Sequence, residues 1–384
     1  MRVLHVINSL SGSGGAEQGL VREIVRFGPS VEQKVVRLYS PADLEPRLED
    51  VGIESVCLEL ESGSSGWNWP AGIVRLGRLV RDFEPDVLHS SLASANLIAQ
   101  HAGARAGLPV LSTFTLSGDP KLMRRYQPGA DSLPARVLRR IERRSARRPH
   151  VWHRALTSDS KDSHCAAGRL DPSRVAVIPR GVPVPEGPVP TRTELGLPTD
   201  VPVVLNVGRQ TAQKGHDDLV RAFAAVNATR PTHLVILGQE GDGTRRLRQE
   251  IADHGVKGNV TVIPYTDRPY DYYRNADVLA FPSRMEGLGT AVLEAMACGL
   301  PVVAYDIPPV REIGGDTQLA TLVPPGDVDA LTDAIRATLE DRARYRPMTD
   351  AARRYVTEHY SVDAVARRVR ELLGTVAAGA ASSS

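Results

Sequence analysis

Cysteine is scarce in this sequence. Cys57, Cys165 and Cys298 are the only three in 384 residues, too few and too scattered for a disulfide framework or a thiolate metal site, so the expected compartment is reducing and cytoplasmic. Long hydrophobic runs are missing too: nothing approaches the ~20 apolar residues of a membrane helix. The start, Met1-Arg2-Val3-Leu4-His5-Val6-Ile7-Asn8, lacks the apolar stretch and small-residue cleavage site of a signal peptide. Membrane contact is then at most peripheral. Aromatic residues are only 5% of the chain, which argues against a nucleic-acid surface, where aromatics interleave with cations. No His/Cys cluster has ligand spacing. The one Asp-x-Asp, Asp327-Val328-Asp329, opens a helical stretch where capping is the expected role, so no required metal or cofactor is expected.

What is present is an ordinary globular composition, 42% hydrophobic and 24% charged, with length for two domains at roughly 100 to 200 residues each. The net charge of +2 is unevenly spread: residues 1–182 hold 25 Lys+Arg against 19 Asp+Glu, and the remainder 22 against 26. Short β-branched runs alternate with segments of helical period, the pattern of parallel strands joined by crossover helices. Strands are expected at Val3–Ile7, Lys34–Leu38, Val87–Ser90, Val110–Phe114, Arg154–Thr157 and Val175–Ile178. After the interruption they are expected at Val203–Val207, His233–Leu237, Val260–Ile263, Val278–Phe281 and Pro301–Ala304. The interruption is a stretch with seven prolines between Pro179 and Pro202, read as a linker and hinge because proline suits neither strand nor helix interiors. The boundaries expected are a first domain over 1–182, a linker over 183–201, a second domain over 202–357, a helix over 358–374 and a disordered tail over 375–384.

Three motifs carry chemistry. After the first strand, Ser11-Gly12-Ser13-Gly14-Gly15-Ala16-Glu17 opens a helix; it falls short of a dinucleotide fingerprint because Glu17 holds the third glycine position. In the second half Asn206-Val207-Gly208-Arg209 closes a strand and Lys214-Gly215-His216 opens the next helix. A forked cation and a point charge beyond the carboxyl end of a parallel strand suit a diphosphate. The third motif is Glu286-Gly287-Leu288-Gly289-Thr290-Ala291-Val292-Leu293-Glu294, two carboxylates around a glycine loop and a helix start. Carboxylates accept hydrogen bonds from vicinal diols, and helix-start amides attract anions.

Together with Glu294-Ala295-Met296-Ala297-Cys298-Gly299-Leu300-Pro301 and Leu322-Val323-Pro324-Pro325-Gly326-Asp327, these motifs resemble the retaining glycosyltransferases of family 4. Gly14-Gly15-Ala16-Glu17 and Ile178-Pro179-Arg180-Gly181-Val182 extend the resemblance through the first half. It implies an α/β GT-B fold: two Rossmann-like domains facing across a cleft, with a C-terminal helix crossing back to the first domain. It also implies transfer of a hexose-type sugar from a UDP- or GDP-sugar to a hydroxyl acceptor, in polysaccharide, glycolipid or small-molecule glycoside biosynthesis. By resemblance, Arg209 and Lys214 bind the diphosphate and neutralise the leaving group, Glu286 contacts the sugar, Glu294 holds the ribose, and Gly208 and Gly287-Leu288-Gly289-Thr290 line the donor. Gly14 and Gly15 border the acceptor. A histidine found in many members after the strand corresponding to Val110–Phe114 is absent here; Thr115, Asp119 or His89 stands in for it, a structural role for His89 being equally open.

Two alternatives stand beside this: a nucleotide-sugar epimerase or hydrolase on the same scaffold, and a non-catalytic nucleotide-sugar-binding protein. Keeping both Glu286 and Glu294 argues against the latter. Between Lys121 and Arg154, eleven cations face two acids, with Arg136, Arg139, Arg140, Arg143, Arg144, Arg147 and Arg148 on one helix. That helix fits peripheral contact with anionic lipid on the inner membrane face, or a phosphorylated acceptor.

Overall fold

The computed structural model describes residues 1–12, 14–60, 68–126, 132–314 and 318–381. The chain forms two compact units, Met1–Gly181 with Val362–Ser384, and Val182–Ser361. The first runs β1 (Arg2–Ile7), α1 (Gly15–Ile24), β2 (Glu32–Arg37), α2 (Glu45–Glu49), β3 (Glu54–Cys57), α3 (Trp69–Phe83), β4 (Val87–Ser91), α4 (Ala93–Ala106), β5 (Val110–Thr113), α5 (Pro120–Tyr126), α6 (Leu133–Ala146), β6 (Val151–Ala155), α7 (Ser158–Gly168) and β7 (Val175–Val177). The second runs β8 (Val203–Val207), α8 (His216–Thr229), β9 (His233–Leu237), α9 (Thr244–Asp253), β10 (Val260–Ile263), α10 (Pro269–Asn275), β11 (Val278–Phe281), α11 (Thr290–Ala297), β12 (Val302–Tyr305), α12 (Pro308–Gly314), β13 (Thr321–Val323), α13 (Val328–Glu340) and α14 (Arg342–His359). The last helix, α15 (Val362–Ala381), belongs to the first unit.

The first sheet has the order β3-β2-β1-β4-β5-β6-β7 and the second β10-β9-β8-β11-β12-β13, with every paired strand parallel. Parallel strands are buried on both faces, and β1 shows how the alternation works. Val3 and Ile7 pack into a core with Leu20 and Ile24 of α1 and Val365, Val369 and Leu373 of α15, while Leu4 and Val6 pack with Leu76 of α3 and Ile98 of α4. In both sheets the strand order reverses beside the central strand, at β1/β4 and β8/β11, which is where open α/β sheets receive ligands.

Three sequence expectations need correction. The helix expected over 358–374 is two helices, broken at Tyr360–Ser361, with α14 in the second unit and α15 in the first. The tail expected from 375 continues α15 to Ala381, because Val376 is buried in the core under α1; residues 382–384 lie outside the described residues. The proline-rich stretch is bound along the second unit: Arg192 pairs with Asp277 at 2.7 Å, Asn275 Nδ2 donates to Pro190 O at 2.9 Å, and Arg274 Nη2 donates to Gly187 O at 2.6 Å. Asp327 caps α13 by accepting from Ala330 N at 2.9 Å. No helix among the described residues is long and apolar enough to cross a membrane.

Candidate active site

The second unit gathers its polar side chains beyond the carboxyl ends of β8 and β11. β8 ends at Val207, and the loop through Gly208 and Arg209 delivers Lys214 to the start of α8. β11 ends at Phe281, and the loop through Ser283 delivers Glu286. Lys214 Nζ lies 2.5 Å from Glu286 Oε1 and 5.4 Å from the centre of the Phe281 ring, and Ser283 Oγ donates to the same Oε1 at 2.6 Å. Glu286 is only 8% exposed, so its charge depends on these two donors. The groups read separately as a phosphate cation and a sugar carboxylate therefore form one ion pair. Arg209 is exposed, apart from that pair.

Gly289, at φ +88°, caps α11 and offers no side chain to occupy the first amides of the helix, while Leu288 is buried beneath. Glu294 lies one turn into α11. Its Oε1 accepts from Tyr270 Oη at 3.0 Å and its Oε2 from Tyr273 Oη at 3.1 Å. Burial, then the Glu294 charge, push the Tyr273 hydroxyl well above its usual range, so it stays a donor. The sequence reading missed Ser283, Tyr270 and Tyr273. The only signal was the run of three tyrosines in α10, which periodicity alone assigns to packing.

In the first unit, Gly14 caps α1 and Gly15 begins it. Ser13 lies outside the described residues. Ser9 Oγ donates to Glu17 Oε1 at 3.3 Å. Thr115 and Asp119 sit on the loop after β5, which α7 fastens: Ser160 Oγ and His164 Nε2 approach Leu116 O at 3.2 and 3.0 Å, and Gly118 N donates to Ser163 Oγ at 2.9 Å. Asp119 Oδ1 accepts from Lys121 N at 2.7 Å, a cap on α5.

His89 stands elsewhere. Only 1% exposed, it faces His5 across β1 and β4 with Nδ1 atoms 3.0 Å apart, and Gln33 Oε1 and Thr113 Oγ1 lie 3.1 and 3.4 Å from the outer ring nitrogens. At most one of the two Nδ1 atoms can carry the shared proton, and burial pushes both pKa values down, His5 to about 4. His89 therefore lies in the core, between β1 and β5.

α6 carries Arg136, Arg140, Arg143 and Arg144 exposed, beside exposed Leu133 and Val137. Glu142 on the same helix is raised to about 7, burial outweighing Arg139 and Arg143. Among the described residues no three His, Cys, Asp or Glu side chains come together as a metal cage.

Residues 190–355 match the family Glycosyl transferases group 1, and residues 12–181 match the Glycosyl transferase 4-like domain. The chain is 31% identical over 303 residues to the 2-deoxystreptamine N-acetyl-D-glucosaminyltransferase of Streptomyces fradiae, covering 75% of this chain and 71% of that one. It is 36% identical over 198 residues to the D-inositol 3-phosphate glycosyltransferase of Xylanimonas cellulosilytica, a match that spans about half of each chain, 48% here and 47% there. The Anabaena HepE structure in complex with UDP and glucose superposes with a TM-score of 0.83 at 21% identity, covering 98% of this chain and all of that one. The chain belongs to the glycosyl transferases of group 1 and is a glycosyltransferase built on the GT-B fold.

Proposed function

We propose that the chain transfers a hexose-type sugar, with retention of configuration, from a UDP- or GDP-sugar to a hydroxyl acceptor. The observation that carries the reading is the Lys214–Glu286 pair at 2.5 Å beyond the ends of β8 and β11. A cation already desolvated and aimed is a preorganised partner for the charge that develops on a departing diphosphate. When the diphosphate draws Lys214 away, Glu286 gains a free oxygen for the hydroxyls of the sugar. Arg209, exposed and apart from that pair, folds onto the phosphates as the second cation. Glu294, held by two phenols, takes the ribose diol. Gly14 and Gly15 border the acceptor, with Thr115 and Asp119 beside it.

Fixed cations make a metal unnecessary in this scheme, so activity is expected to survive exhaustive chelation. The exposed basic face of α6 meets anionic headgroups near the acceptor. The test is nucleotide release from a panel of UDP- and GDP-sugars, with and without inositol phosphate, aminocyclitol and lipid-extract acceptors. Release that needs an acceptor and yields an α-linked product from an α-linked donor is the expected result; acceptor-independent release would favour a hydrolase.

A further inference from the structure

Lys214 and Glu286 are 72 residues apart in sequence, each on a loop, and a loop by itself does not hold a charged side chain to a few tenths of an ångström. The loops are fastened to each other beside the pair. Gly215, at φ +66°, passes so close to Pro282 that any side chain there would collide with the Pro282 carbonyl oxygen. Ser283 Oγ donates to Gln213 O at 3.3 Å, and Arg284, two residues before Glu286, adds a further set of contacts. Its amide donates to Gln213 O at 2.7 Å and its Nη1 to Ala212 O at 3.1 Å, both just before Lys214. Its Nη2 meets Asp218 Oδ2 at 2.5 Å and Asp217 Oδ1 at 2.8 Å, on the first turn of α8 just after Lys214. Asp218 is buried and anchored from two further sides, by Arg221 at 2.6 Å and by Tyr305 Oη from β12 at 2.9 Å.

We propose that Arg284 is a positioning residue: its planar fork, anchored on Asp217 and Asp218, staples the loop over 208–215 to the loop over 282–289 and so sets Lys214 against Glu286 before a donor arrives. The geometry needs arginine, because one guanidinium reaches the Ala212 carbonyl and both carboxylates at once, whereas an ammonium is a single point of attachment. The staple touches no donor group. It acts through Lys214, and this part rests on the donor-site reading above.

Two measurements test it. In Arg284→Gln, Asp218 keeps Arg221 and Tyr305, so the fold is expected to persist. Hydrogen exchange should then quicken together in the segments 208–215 and 282–289 and stay unchanged in α13 and in the first unit. Unchanged protection of 208–215 would overturn the staple, whatever the nucleotide. The second is a double-mutant cycle on UDP and GDP affinity, read by calorimetry on the full chain. Lys214→Ala alone should weaken the preferred nucleotide roughly 10- to 100-fold. In the Arg284→Gln background the same change should cost only a few-fold, because Lys214 is already out of place. Additive losses would mean that Arg284 merely supports the fold, and sink the proposal. If Lys214→Ala had no effect in the wild-type chain, the donor-site reading would fail while the exchange result still decided the staple.

Discussion

The two units share a parallel sheet with a central switch point but place their polar groups in opposite positions. The first buries them inside: His5 faces His89 within the sheet, Phe114 stacks between His153 and His164 at 4.7 and 3.8 Å, and Arg154 of β6 forks onto Glu23 of α1 at 2.7 and 2.8 Å. The second keeps β8 and β11 mostly apolar and places Lys214, Glu286, Arg284 and Asp218 beyond the strand ends. Buried polar groups that saturate one another specify packing, as Asp218 and Arg284 do even here, whereas Lys214 and Glu286 lie beyond the strand ends, where open sheets receive ligands. The first unit thus places its polar groups within the sheet and core, and the second places more of them at the strand ends.

The largest effect that sharpens this contrast is structural. Arg154→Met leaves Glu23 buried without its fork and bares the carbonyls of Ile178 and Pro179, a loss of about 3–5 kcal/mol by comparison with other broken buried pairs. Arg180, in the same cluster, has an Nη2 with no partner among the described residues, and burial lowers its guanidinium to about 10. Arg180→Met is therefore expected to be neutral or mildly stabilising. Chemical denaturation of both variants checks the pair; equal losses would show that the cluster acts as one network.

Next comes the donor site. Lys214→Ala should weaken UDP or GDP by about 1.5–3 kcal/mol while leaving the melting temperature within a few degrees, and Arg209→Ala should weaken it less, since the exposed Arg209 must be ordered on binding. A stability loss in Lys214→Ala matching that of Arg154→Met would erase the distinction between the units.

Acidification is smaller and differs in kind. His5, His153 and His164 are lowered to about 4 and His89 is lowered as well, burial being the first cause in each. The unfolded chain takes up protons from about 6.5 downward while the folded unit does not, so stability present above pH 6.5 is lost as the pH falls toward 4. His101 and His150 are lowered by burial too, while Glu142, raised to about 7, and Asp159, also raised, work in the opposite sense, two groups against six. In the second unit His216 is lowered to about 4 and His233 is lowered. The three tryptophans, at 67, 69 and 152, all belong to the first unit, so tryptophan fluorescence should report an acid transition at higher pH than far-ultraviolet dichroism of the whole chain. Coincident curves would contradict the contrast. The smallest effect is at α6: Arg140→Glu with Arg144→Glu should reduce sedimentation with phosphatidylglycerol vesicles and leave nucleotide affinity unchanged.

Legibility from sequence does not follow that divide. Val203–Val207, His233–Leu237, Val260–Ile263 and Val278–Phe281 are strands at the expected residues, because apolar runs bounded by turns admit one reading. β3 and α3 of the first unit are missing from the sequence expectations, and so are α10, α12, β13 and most of α14 of the second. β6 begins three residues before its expected start, because Val151-Trp152-His153 mixes polar and aromatic residues whose partners are remote in sequence. The site divides likewise. Spacing exposed the candidates Lys214, Glu286 and Glu294, but their partners Arg284, Tyr270 and Tyr273 depend on contacts between elements remote in sequence, which no local pattern encodes.

α15 gives the first unit a peculiar history. Its Val365, Val369, Leu373 and Val376 complete the core over Leu20 and Ile24, so on the ribosome α1 waits for a helix more than 300 residues downstream. Vectorial synthesis normally lets the N-terminal domain fold first. Here the stretch Val182–Ser361 is uninterrupted, whereas the core around α1 stays incomplete until α15 has been made. A nascent chain halted before α15 is accordingly expected to remain a chaperone client.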